Sequence, residues 1–144
     1  ALQAMMLALP GSLYLRQGDE IALSDADKPT APLDLAEMVA EHAQAQSSQF
    51  GSPAATVRHA AHVRDKYNLA CAPLAFVTGL EWCPPRALAF LIRGVLVVVN
   101  TSDSPVVLPA EAKVLLSSQS LRQDQGRLFV PPTTTTWLEA ATVA

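Results

Sequence analysis

Asp19 and Glu20 are the one adjacent pair of carboxylates in the chain, and carboxylate pairs do chemistry when they flank a bond. Cleavage of an acetal with retention uses two carboxyls about 5–5.5 Å apart, one as nucleophile and one as acid and base. Neighbours on an extended chain point to opposite sides, so these two do not face one bond. Their placement predicts a structural role instead, with Gly18 permitting a tight backbone and both carboxylates bonding loop amides.

His59, His62 and Asp65 recur every third residue, which on a helix presents two imidazoles and a carboxylate along one side. Arg58, Arg64 and Lys66 surround them and repel a cation, so the stretch reads as a solvated face and no metal site is assigned. His42 has no partner in sequence. With no G-x-S-x-G elbow and no phosphate-cradling glycine loop, neither nucleophilic serine chemistry nor a nucleotide cofactor is supported, and no cofactor is expected. Trp82 and Trp137 have indole faces of the kind that pack on a pyranose, yet their apolar strand contexts favour the core. Cys71 and Cys83 read as reduced, mostly buried thiols, with a bridge between them left open.

These residues must be carried by elements whose composition is unusually apolar. Half of the 144 residues are hydrophobic and 16% are charged, against about 25% charged in an average soluble domain, which predicts faces meant to be covered. The net charge of −3 comes from residues 1–70, and neither half carries the basic stripe that a nucleic-acid surface needs. No apolar run approaches the roughly 20 residues of a membrane span. No cationic region precedes the apolar Met5–Leu9, so the expectation is a cytoplasmic protein without a secretory leader.

Residues 1–9 predict the end of a helix stopped by Pro10-Gly11, followed by a strand over Ser12–Arg16. Asp34, with Glu37 three residues on, predicts a capped helix carrying Leu35, Met38, Val39 and His42 on one side. Ser52-Pro53 opens a second helix to about Asn68, with Thr56, Ala60, Val63 and Tyr67 along one face. From Leu74 onward the pattern is short strands, at Ala87–Ile92, Val95–Val99, Val106–Leu108, Lys113–Leu116, Arg127–Val130 and Thr133–Leu138. Strands of this length with turns between them argue an antiparallel sandwich.

The run Leu9-Pro10-Gly11-Ser12-Leu13-Tyr14-Leu15-Arg16-Gln17-Gly18-Asp19-Glu20-Ile21 resembles the last barrel strand of the alpha-amylase superfamily, glycoside hydrolase family 13. In its alpha-glucosidase branch a pattern like L-P-G-x-x-Y-x-Y-Q-G-[DE]-E-[IL]-G-L closes a (β/α)8 barrel. Further on, Ala87-Leu88-Ala89-Phe90 and Val95–Pro109 are similar to that family's C-terminal β domain, where V-L-A-F-x-R-x-x-x-L-V-V-V-N-x-S-D-x-P-V-x-L-P recurs. The resemblance covers residues 1–23 and about 54–139. Arg16 stands where the branch has a second tyrosine, and Asp27–Leu35 lacks the arginine and tryptophan of the family's R-T-P-M-x-W loop.

The resemblance implies an α+β chain: a remnant of a (β/α)8 barrel over residues 1–70, comprising its last strand and covering helices, then a small antiparallel β-sandwich over 71–144. A whole barrel needs roughly 250 residues, and the family's three catalytic carboxylates lie on earlier strands. No catalytic residue is therefore expected in this chain. Gln17, Gly18, Asp19 and Glu20 would be structural residues at the barrel mouth. The implied role is the scaffold of an enzyme acting on alpha-linked glucosides, its partners being the missing barrel portion or self-association through residues 1–23, with carbohydrate as ligand. A rival reading is a non-catalytic binding or assembly module, as in amino-acid transporter heavy chains with an amylase-like fold.

Overall fold

The computed structural model describes residues 1–143. Three helices, α1 (Leu2–Ala8), α2 (Pro32–Ser47) and α3 (Pro53–Lys66), precede eight strands, all paired antiparallel. The strands are β1 (Leu74–Phe76), β2 (Ala87–Ile92), β3 (Val95–Asn100), β4 (Val106–Val107), β5 (Val114–Ser117), β6 (Arg122–Asp124), β7 (Arg127–Val130) and β8 (Thr134–Glu139). They form a five-stranded sheet in the order β1-β2-β3-β8-β5 and a three-stranded sheet in the order β4-β7-β6.

Local chemistry accounts for most element boundaries. The hydroxyl of Ser52 accepts the Ala55 N–H at 3.2 Å, and Pro53 takes the first position of α3, where its missing N–H costs nothing. α2 begins two residues before the expected Asp34 because Pro32 takes its first position, which puts Asp34 in the first turn, where the helix dipole favours a carboxylate. The β2–β3 hairpin turns through Arg93 and Gly94, both at positive φ, as a two-residue turn matched to strand twist requires. Gln125 and Gly126 repeat this between β7 and the exposed Arg-Gln-Asp strand β6, which has no apolar pattern to reveal it in sequence.

All six residues of β3 are buried, because the large sheet is covered on both faces. Val95, Val97 and Val99 join Phe90, Ile92 and Trp137 in a cluster with Ala4 and Leu7 of α1 and Ala60 and Val63 of α3. Leu96 and Val98 point the other way, into a cluster with Val106 and Val130 of the smaller sheet and with Leu108 just after β4. A third cluster joins Ile21, Val39 and Ala54, holding α2 to the start of α3.

Ser12–Arg16 forms no strand. The segment has no ladder partner, and Tyr14 is 89% exposed while Leu13 packs on the first cluster. The preceding helix is covered from within: Trp137 Nε1 donates to the Ala4 carbonyl at 3.0 Å, the Thr135 hydroxyl donates to the Ala1 carbonyl at 2.9 Å, and Ala4, Leu7 and Ala8 are buried. Arg64 of α3 donates to the carbonyls of Leu7, Leu9 and Gly11, taking up acceptors at the end of α1 that no helical N–H can reach.

Because Val97 is fully buried in the middle of the sheet and Ser104 is exposed in a turn, an aspartate should cost far more at the first position than at the second. Val97→Asp is expected to lose at least about 2 kcal/mol more stability than Ser104→Asp, from lost apolar burial and an unpaired buried carboxyl. Paired denaturant melts read the difference, and equal midpoints would contradict this account of the core.

Candidate functional site

Gln17–Glu20 is a tight turn built on Gly18, which is buried with φ of 97°. Its carbonyl accepts the N–H groups of Ile21 and Leu23, at 3.3 and 2.9 Å. A Cβ at Gly18 would meet Leu23 Cβ, Leu23 Cδ2 and Lys28 Cε, each at 3.3 Å. Both carboxylates turn back onto loop amides: Asp19 Oδ2 accepts the Arg16 N–H at 3.0 Å, and Glu20 Oε2 accepts the Gly18 N–H at 2.9 Å. Gln17 is exposed. Gln3 of α1 donates its side-chain amide to the Asp19 carbonyl, tying the turn to the helix layer.

Four charges surround the turn. Arg16 lies 3.5 Å from both Asp19 and Asp25, and Lys28 lies 3.6 and 3.0 Å from the same two carboxylates. The Arg16 amide, then the nearby cations, hold the Asp19 carboxyl below its usual range. The hydrogen bond from Lys28 and the charge of Arg16 do the same for Asp25. A carboxylate held ionised by amides and cations is a poor proton donor, and the geometry of this turn supports loop structure rather than acid–base chemistry.

The remaining candidate residues are dispersed. His59 Nε2 lies 2.7 Å from the Leu115 carbonyl, joining α3 to β5, and His42 Nδ1 lies 2.9 Å from the Met38 carbonyl of its own helix. Among the described residues no group of three or more His, Cys, Asp or Glu is placed to hold a metal ion. Trp137 is fully buried and Trp82 packs on the second cluster, so Trp137 offers no face to a sugar. Both cysteines are free. Contrary to the expectation of buried thiols, Cys71 is exposed, while partial burial pushes the Cys83 thiol upward.

One concavity has no counterpart in the motifs. A groove of about 590 Å³ lies between Phe50 with the start of α3 and β5 with the following Ser118–Leu121. No sequence pattern points to it, because its walls are far apart in the chain and Phe50 sits in an otherwise polar stretch.

Two outcomes test the turn. Gly18→Ala should destabilise the protein by more than about 1 kcal/mol, since the left-handed backbone and the 3.3 Å contacts oppose a methyl group; a wild-type melting curve would show that the turn relaxes freely. Asp19 and Asp25 have folded pKa values below their unfolded ones, so the stability they add is present above about pH 4 and is lost as pH falls through the folded values. An Asp19→Asn, Asp25→Asn double variant should therefore show a shallower loss of stability below pH 4 than wild type.

No protein-family model matches the sequence, and no curated protein matches it. Among solved structures, an alpha-amylase from H. orenii is similar over 95% of this chain and 34% of its own, with a TM-score of 0.62 at 18% identity. Ttha1563 from Thermus thermophilus is similar over 96% of this chain and 30% of its own, with a TM-score of 0.58 at 26% identity. The chain thus spans about a third of the length of each, and it shares its fold with part of that alpha-amylase. No helix is long and apolar enough to cross a membrane among the described residues.

Proposed function

We propose that this chain is the C-terminal scaffold of an alpha-glucosidase-like glycoside hydrolase that acts on alpha-linked glucosides, with the catalytic carboxylates supplied by a barrel portion outside it. The observation that carries the reading is a fold shared with part of an alpha-amylase over 95% of the chain, in which the ordered motifs of residues 1–23 and 54–139 fall. The ladder-free Ser12–Arg16 then becomes the last barrel strand. The exposed Tyr14 and Leu15 would meet the neighbouring part of the barrel. Gln17, Gly18, Asp19 and Glu20 would shape the loop at the barrel mouth, with their carboxylates held by the amides and cations described above.

The pure chain is expected to turn over neither maltose nor p-nitrophenyl alpha-glucoside. Co-expression with an alpha-glucosidase barrel that lacks its own last strand and C-terminal domain should give soluble, active enzyme. Failure of the two parts to associate would count against the scaffold role, and turnover by the chain alone, abolished by Asp19→Asn or Glu20→Gln, would overturn it.

A further inference from the structure

We propose that the groove beside β5 docks an extended, uncharged peptide segment, which joins the five-stranded sheet as an added strand. β5 is the last strand in the order β1-β2-β3-β8-β5, so no strand flanks its side away from β8 among the described residues. The ladder with β8 shifts register between Val114 and Leu116, which leaves Leu115 as an extra residue. Its carbonyl lies 2.7 Å from His59 Nε2 of α3, and the groove is lined by β5 and the residues after it on one side and by Phe50 and the start of α3 on the other. Three residues on from Leu115, the Ser118 N–H bonds the Thr135 carbonyl across the ladder at 2.9 Å. The alternation of an antiparallel ladder then turns the N–H and C=O of Ser117 outward, into the groove.

The lining selects among ligands. Apart from His59, no described residue around the groove is ionisable, so a phosphate, a nucleic acid or a charged peptide finds no counter-charge. The polar side chains are largely engaged within the sheet: Ser117 with the Thr136 hydroxyl, Ser118 with the Thr135 N–H, and Gln119 with the Thr133 carbonyl. A ligand recognised through side-chain hydrogen bonds, such as a free sugar, has few partners here. A strand needs only the main-chain groups of the edge, and Phe50, Leu115 and Leu121 offer apolar contact to its alternate side chains. Shortness, the bulge and His59 of α3 guard part of the β5 edge, but other guards are missing around Ser117. The strand contains no proline or lysine, and the adjacent Lys113 is drawn 2.9 Å from Glu139.

The test uses the full chain labelled with 15N and a peptide Val-Thr-Val-Thr-Val, acetylated and amidated so that it carries no charge. The expected result is a saturable shift of the Phe50, Leu115 and Ser117 amides, with slowed hydrogen exchange at Ser117. Methylating alternate peptide nitrogens should weaken binding about tenfold through loss of ladder hydrogen bonds. Phe50→Ala, a surface change that leaves the core untouched, should weaken it by a similar factor. Equal binding of the methylated peptide, no saturable shift, or shifts elsewhere would overturn the proposal. So would maltotriose perturbing the same residues in place of the peptide, or concentration-dependent shifts there without peptide, which would make the occupant a second copy of the chain.

Discussion

The burial of β3 on both faces is the constraint from which the rest of the architecture follows. Six consecutive residues, Val95–Asn100, have no solvent side, so each face of the sheet needs a layer of its own. α1 and α3 supply one and the small β4-β7-β6 sheet supplies the other. β8 shares the constraint as the neighbour of β3, which is why Trp137 can lie fully buried on one side of the strand and Leu138 on the other. Two rows of apolar side chains, rather than one, replace the alternation expected where an antiparallel sheet meets water.

A strand buried on both sides must also end without leaving polar groups dry, and Asn100 manages this. Its amide nitrogen donates toward the carbonyls of Ser104, Val130 and Pro131 at 2.9–3.1 Å, while its oxygen accepts the N–H and hydroxyl of Ser102. The side chain thereby organises the turn after β3 and fastens the large sheet to β7 of the small one. Every buried side-chain nitrogen and oxygen among the described residues has a partner. The same economy appears at Trp137, whose only polar side-chain atom is spent on the Ala4 carbonyl. Hydrogen bonds at these points add position to a core whose driving force is apolar burial.

The charged turn at Gln17–Lys28 works differently. Its carboxylates are partly or largely exposed, so their pairing with Arg16 and Lys28 adds little by itself and is screened by salt. What holds the turn is backbone geometry: a left-handed glycine whose carbonyl accepts two amides, with each following carboxylate folded back onto an N–H. In the proposed enzyme such a turn would present a loop of set shape beside a substrate site, without taking part in the chemistry.

By itself the sequence determined the features that arise from contacts between near neighbours. The Ser52-Pro53 start of α3, the Arg93-Gly94 hairpin, the continuous apolar run of β3, the tight glycine at position 18 and the bonding of Asp19 and Glu20 to loop amides all follow from residue types a few positions apart. Tertiary structure decided whatever depends on what lies opposite. Ser12–Arg16 has the composition of a buried strand but finds no ladder partner, and a strand exists only where another chain segment completes its hydrogen bonds. β6 forms without apolar residues because the Gln125-Gly126 turn folds it back on β7. His59 meets the Leu115 carbonyl across 56 positions of sequence, and that meeting, which no local pattern announces, joins α3 to β5 beside the groove.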